Sequence, residues 1–216
     1  MPFLVRSSSN DRASWEESSD RDLMKALRRD DEGALDELIG RKSAGLMGVA
    51  TRMLGDPEEA RDIVQITFVR VWEHRLEFRD RWSPNTWIYR IATNLTIDHL
   101  RARQRRDRAM VVAGSTLRAV DSERKSLAEL QQREVGEVLL KIVDCLSDRQ
   151  RAVFVLRVVE GFDTKEVAKI LGCRVSTVRN HLFVARRKLK RELEVCFPEY
   201  APGSAAGSTR EGGSDG

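Results

Sequence analysis

Arg179, Asn180 and Phe183 stand close together, just ahead of a dense run of Arg and Lys from Arg186 to Arg191. A guanidinium can donate twice to a guanine edge, a carboxamide can pair with an adenine edge, and a phenyl ring can pack on a thymine methyl. Arg186 and Arg187 suit phosphate oxygens, which fix register without reading sequence. A second group lies in "EFRDRWSPN", where Phe78, Arg79, Arg81 and Trp82 mix aromatic rings with guanidinium groups. That mixture suits stacking on unpaired bases while holding their phosphates. Close behind, Arg90 and Asn94 are four apart and share a helix face. "HLRARQRRDR" then extends the same helix as a basic arm from Arg101 to Arg108. A third group is Asp62, Gln65, Ile66, Val69 and Glu73, which lie off the apolar stripe of their helix. A mixed face of this kind suits docking on another protein, with Asp62 and Gln65 giving directional contacts. Each group also has a plainer reading. The basic helix can be a solvated face, the mixed face can be buried within its own domain, and Trp82 and Trp87 can be core. For Trp87 core packing is the better reading.

These side chains need rigid elements behind them, and the sequence supplies helices. The spacing of Leu23, Met24 and Leu27 predicts a helix over Asp20–Arg28. A longer one starts near Glu32 and ends near Gly55. Asp56, Pro57 and Glu59 then have the cap, first-turn and capping-box positions of a new helix that runs to about His74. Ser83 and Pro84 open another, which continues into the Arg-rich arm. Leu127–Leu146, "DRQRAVFVLRVVEG", "TKEVAKILG" and Val175–Leu193 supply the rest. No run of alternating β-branched residues argues for strands. The fold class is therefore all-α, with two small helical domains joined by a flexible linker.

Within the second domain, Asp163 and Glu166 have capping-box spacing and Ala168 is small where two helices would cross. Gly172 falls where a tight turn needs positive φ. Val178 can bury against the preceding helix. This pattern predicts a helix-turn-helix. On the last helix Val178, Leu182, Ala185, Leu189 and Leu193 form an inward seam, which leaves Arg179, Asn180, Phe183, Arg186 and Arg187 largely outside it.

Composition limits the alternatives. The net charge is only +4 over 216 residues, yet basic residues are concentrated in two patches and acidic ones near the N-terminus. Concentrated patches matter more than the sum for a polyanion partner. The three cysteines, Cys145, Cys173 and Cys196, form no CxxC pair. They suggest a reducing, cytoplasmic setting without a disulfide framework or zinc site. No run resembles a membrane span or a signal peptide. No metal cluster, phosphate-cradling loop or nucleophile–base pair appears, and His74, His99 and His181 are isolated. The expectation is therefore a protein that is not an enzyme, with no catalytic residues, no metal and no cofactor.

"ARDIVQITFVRVWE", "TWIYRIATNLTIDHLRARQRR" and "LSDRQRAVFVLRVVEGFDTKEVAKILGCRVSTVRNHLFVARRKLKREL" together resemble bacterial RNA polymerase sigma factors of the extracytoplasmic-function (ECF) group. The resemblance spans roughly Asp20 to Val195 in the expected order. It implies a tail at 1–19, a sigma region 2 domain at 20–108, a linker at 109–126, a region 4 helix-turn-helix domain at 127–196 and a tail at 197–216. It further implies that Asp62 to Glu73 bind the polymerase. Phe78, Arg79, Arg81, Trp82, Arg90 and Asn94 would capture melted −10 DNA, with the arm from Arg101 on the backbone. Arg179, Asn180 and Phe183 would read the −35 element, with Ser176 and Thr177 near phosphate. The implied partners are core RNA polymerase, promoter DNA and an anti-sigma factor, for a chain that is monomeric when free of polymerase. Val184 stands where the family often has Arg, which implies one contact fewer. Two other readings remain at this point: a stand-alone helix-turn-helix regulator, and a polymerase-binding regulatory protein with little DNA affinity.

Overall fold

The computed structural model describes residues 15–112 and 144–196. The expected tails, the 109–126 linker and the Leu127–Leu146 helix fall largely outside these residues. Among the described residues the secondary structure is helical, with no strand.

Helix α1 (Asp20–Leu27) is capped by Ser19, whose hydroxyl accepts from the Asp22 amide. Its inner face buries Leu23, Met24, Ala26 and Leu27. Full burial of each of the large side chains contributes about 1.5–3 kcal/mol. Helix α2 (Glu32–Leu54) begins at Asp31, which accepts from the Ala34 amide at 3.0 Å. It stops at Gly55, whose φ of 75° closes the helix in the left-handed region. On α2, Arg41 donates to the carbonyls of Trp15, Glu16 and Ser18 and to Glu37, which ties the N-terminal turn to the bundle.

Helix α3 (Pro57–Glu73) starts as the sequence suggests: the Asp56 carboxylate accepts from the amides of Glu58 and Glu59. The Glu59 side chain is directed elsewhere. It meets Arg103 at 3.0 Å, and Arg103 also donates to the Leu54 carbonyl at 3.2 Å. A cross-helix ion pair thus occupies the group expected to complete the capping box. A short 3-10 turn over Arg75–Glu77 leads into the loop before α4.

Helix α4 (Pro84–Val112) is the spine of the molecule, about 44 Å long at 1.5 Å per residue. Its first half buries Ile88, Tyr89, Ala92, Thr93, Thr96 and Ile97, and its second half carries the basic arm.

In the second module, α5 (Asp148–Phe154) passes into a π-turn over Val155–Val159 where a continuous helix was expected. The wider turn leaves Val158 and Val159 partly exposed and ends on Glu160. Helix α6 (Thr164–Leu171) and helix α7 (Val175–Cys196) follow.

The two modules pack against each other. Ala152, Val153, Leu156, Phe162, Val167 and Ile170 belong to the same continuous core as Leu46, Val49, Met53, Ile88 and Ala92. Tyr89 meets the ring of Phe162 edge-on at 4.8 Å between centroids. Its phenol is held above the usual range, first by burial and then by the nearby Glu160 carboxylate. Gly45 on α2 permits this arrangement, because a Cβ there would collide with the Tyr89 hydroxyl.

Candidate nucleic-acid interface

The helix-turn-helix is built by local chemistry. Asp163 accepts from the amides of Lys165 and Glu166 at 2.6 and 2.8 Å, and Glu166 accepts in return from the Asp163 amide at 2.9 Å. The backbone amide of Glu166, followed by that of Lys165, holds the Asp163 carboxyl below its ordinary pKa. At the far end of α6, Gly172 takes φ 61° and ψ 39°, the conformation that turns the chain into α7. Ala168 lies buried at the crossing, and Val178 and Ala185 are fully buried from the α7 side. Leu182 and Leu189 are half-buried against neighbouring clusters.

The opposite face of α7 is open. Ser176, Arg179, Asn180, Arg186 and Arg187 are exposed, and Thr177 is half-buried. Phe183 is 64% exposed, an unusual state for a phenyl ring in a folded domain. Arg179, Leu182, Phe183, Arg186, Arg187 and Lys190 line a shallow groove of about 360 Å³. Leu182 was expected only in the inward seam, and Lys190 only as part of the basic run. Val184 is half-buried.

A second concavity, of about 730 Å³, opens where the loop before α4 meets that helix. Arg79, Arg81, Trp82, Arg90 and Asn94 line it, so the structure brings together five of the side chains grouped from the sequence. Trp82 is half-buried, with the Arg90 guanidinium 5.2 Å from its ring centre. Leu76, Glu77, Trp87 and Ile91 complete the lining. Glu77 adds a carboxylate to an otherwise cationic wall and is held by His74 Nδ1 at 2.8 Å. His74 is therefore not isolated.

Phe78 is a correction. It is 1% exposed, with its ring edge-on to Trp87 at 5.5 Å, so it offers no face to a base. The 3-10 turn directs it inward, where it anchors the loop on the core. Trp87 does both jobs, packing on Phe78 and bordering the concavity. Two arginines with no motif of their own fix the wall. Arg21 donates to the Asp80 carbonyl at 2.8 Å. Arg75 pairs with Asp30, donates to the Trp72 carbonyl at 2.7 Å and covers the Trp72 ring. Asp80 lies 59 positions from Arg21 and Asp30 lies 45 from Arg75, which is why spacing gave no sign of these two ties.

Arg101 is exposed, 3.6 Å from Asp98 and 4.0 Å from Asp148 of the second module. On α3, Asp62, Gln65, Ile66, Val69 and Glu73 form one exposed strip, with Ile66 at 43% and Val69 at 55% exposure. The alternative of a second buried face on this helix does not hold in this packing. The described residues include no cluster of three or more His, Cys, Asp or Glu able to hold a metal. No helix among them is long and apolar enough to cross a membrane.

Comparison with known proteins gives two family matches, Sigma-70 region 2 over residues 38–106 and Sigma-70, region 4 over residues 136–189. Among relatives, the chain is 27% identical over 192 residues to the RNA polymerase sigma-H factor of Pseudomonas aeruginosa, covering 85% of this chain and 98% of that one. It is 28% identical over 177 residues to the ECF RNA polymerase sigma factor SigW of Bacillus subtilis, covering 79% and 94%. Two solved structures share the fold. CnrH in complex with the cytosolic domain of CnrY matches with a TM-score of 0.62 at 23% identity, covering 81% of this chain and 97% of that one. The sigma factor RpoE from Bartonella quintana, in complex with the anti-sigma factor NepR, matches with a TM-score of 0.58 at 23% identity, covering 74% and 96%. With both family regions present in order on an all-helical frame, the chain belongs to the sigma-70 family, in its extracytoplasmic-function group.

Proposed function

We propose that this chain joins core RNA polymerase and directs promoter-specific transcription initiation with two separate DNA-reading surfaces. As a sigma factor it is an initiation factor, not an enzyme. The outward face of α7 enters the major groove at the −35 element, with Arg179, Asn180 and Phe183 on base edges. Ser176, Thr177, Arg186 and Arg187 lie along the phosphates. The concavity at the head of α4 takes an unpaired base from the −10 element, with Trp82 as stacking platform and Asn94 at the base edge. Arg79, Arg81 and Arg90 hold its phosphates. Capture of the unpaired base favours the melted state, so the same contact that recognises also opens. The exposed strip on α3 docks on the polymerase. The region boundaries given above are part of this reading, as are residence in the cytoplasm, a monomeric free state and control by an anti-sigma partner.

One observation carries the reading: Phe183 and its cationic neighbours stand exposed on the second helix of a helix-turn-helix, while a distinct Trp–Arg concavity lies in the other module. Reconstitution of core polymerase with the full chain on promoter DNA is the test. Initiation that starts only when the chain is added supports the proposal. Equal DNA binding without polymerase, and no change in initiation, would favour a stand-alone regulator. Polymerase binding without promoter selectivity would favour a regulatory protein.

A further inference from the structure

The concavity at the head of α4 holds one carboxylate among its cations. Arg79, Arg81 and Arg90 suit the phosphates of a single strand, whereas Glu77 on the same lining repels them. None of these three arginines forms an ion pair with Glu77 among the described residues; its partner is His74. His74 holds it twice. The Glu77 amide donates to the His74 carbonyl at 2.9 Å, and His74 Nδ1 donates to Glu77 Oε1 at 2.8 Å. The 3-10 turn that carries Glu77 is fixed in its own right. Its first residue, Arg75, pairs with Asp30 and donates to the Trp72 carbonyl at 2.7 Å. Oε1 is therefore engaged, and the 73% exposed side chain leaves Oε2 open to a ligand.

A carboxylate accepts hydrogen bonds and donates none. On an unpaired base, an exocyclic amine can donate to a single oxygen: N4 of cytosine or N6 of adenine. Thymine has carbonyl oxygens in place of that amine and flanking its one N–H, so it sets oxygen against oxygen. Guanine fits a carboxylate best through two donors and two oxygens, and His74 already occupies one oxygen. The other contacts in the concavity lack this discrimination. Trp82 can stack on any base, and the arginines hold phosphates that every nucleotide carries.

We propose that Glu77 selects the captured base, favouring one with an exocyclic amine, cytosine or adenine, over thymine. Selection comes partly from repulsion: a strand with no amine at this point meets the negative charge and gains no contact in return. The 3-10 turn and His74 set the carboxylate in place before DNA arrives, so little ordering remains to be done on binding. The inference rests on the functional reading above, because it places an unpaired base in this concavity.

The test uses core polymerase loaded with the full chain and a labelled fork-junction DNA whose single-stranded overhang is all dT. A single dC is walked through the overhang, and the position with the largest response is then filled with dA, dG or the nucleotide of pyrimidin-2-one, which is cytosine without its amine. At that position dC and dA should bind roughly ten-fold tighter than dT, and pyrimidin-2-one should lose the gain. The amide of Glu77→Gln can accept from an amine or donate to a carbonyl, so the dC to dT ratio should fall to about one, mainly through tighter binding of dT. The proposal is overturned if no position responds, if dT or dG binds best, or if pyrimidin-2-one binds like dC. It is also overturned if Glu77→Gln keeps the ten-fold ratio or weakens all bases alike, as loss of a merely structural pair would. Trp82→Ala is measured in parallel. If it binds every probe as the wild type does, the concavity reading itself fails and the selection falls with it. If it weakens all probes while Glu77→Gln leaves the ratio unchanged, the concavity reading stands and only the role of Glu77 is lost.

Discussion

The guanidinium of Arg90 lies 5.2 Å from the centre of the Trp82 ring, one turn of α4 away from Asn94 on the same wall. A half-buried indole held by a cation has few arrangements open to it, and this one borders the concavity that a base would enter. Trp82→Ala should weaken binding to fork-junction DNA by about 1–3 kcal/mol. Arg90→Ala should weaken it too, and the double variant should lose less than the sum, with a coupling of about 0.5–1 kcal/mol. Anisotropy titrations of the four proteins measure this. Additive losses would mean that the pair does not act as a unit.

Phe78 separates scaffold from reader. Its ring is buried against Trp87, so Phe78→Ala should cost about 3–5 kcal/mol of stability, seen in chemical denaturation. Phe78→Leu keeps much of the apolar volume and should retain promoter opening. Lost opening in a stable Leu variant would return Phe78 to the list of base contacts.

On α7, Arg179→Ala should erode discrimination between −35 sequences by about 1–3 kcal/mol. Arg187→Ala should weaken all sequences alike and reduce the salt-dependence slope by about one. Titrations against promoter and scrambled duplexes at several salt concentrations tell the two apart. If both variants lose affinity uniformly, α7 clamps without reading.

The strip on α3 predicts a loss of polymerase affinity without a loss of fold. Val69 is 55% exposed, so Val69→Asp should leave the melting temperature nearly unchanged, within about 0.5 kcal/mol of wild-type stability. Co-purification with core polymerase should fall sharply, and likewise for Asp62→Ala combined with Gln65→Ala. Intact co-purification with a normal melt would place the docking face elsewhere.

The cap of α6 gives a pH dependence of known sign. Asp163 titrates below its ordinary value because the Glu166 and Lys165 amides favour its charged form. Its contribution is therefore full above the unfolded carboxylate value, near 3.9, and fades as pH falls through the lower folded value. Asp163→Asn should flatten that part of the acid-unfolding curve. The check is to compare the melts of both proteins from neutral to strongly acidic pH.

What could be read in the sequence was what is local. The Asp163–Glu166 reciprocal cap, the left-handed Gly172 and the buried Val178 all follow from partners a few residues apart. The outward face of α7 followed from period, whereas period left the mixed face of α3 open between docking and burial. The loop was harder, because it has no period to assign Phe78 inward and Trp82 to the wall. The packing between the two modules was out of reach. Arg151 finds the Met53 carbonyl 98 positions away, and Arg52 finds Glu160 across 108. The π-turn that brings Glu160 there has no compositional signature in "VFVLRVVEG". Glu59 shows the same limit in reverse: its capping-box spacing was right, but Arg103, 44 residues on, is the partner it meets.

Helix α7 divides its labour between two sides. Val178 and Ala185 anchor it inward at 0% exposure, while Arg179, Asn180, Phe183 and Arg186 project into solvent. Exchanging those outward side chains leaves the buried seam untouched and costs little folding free energy. A lineage that duplicates this chain can therefore retarget the copy to new genes through a handful of substitutions, with the scaffold inherited intact.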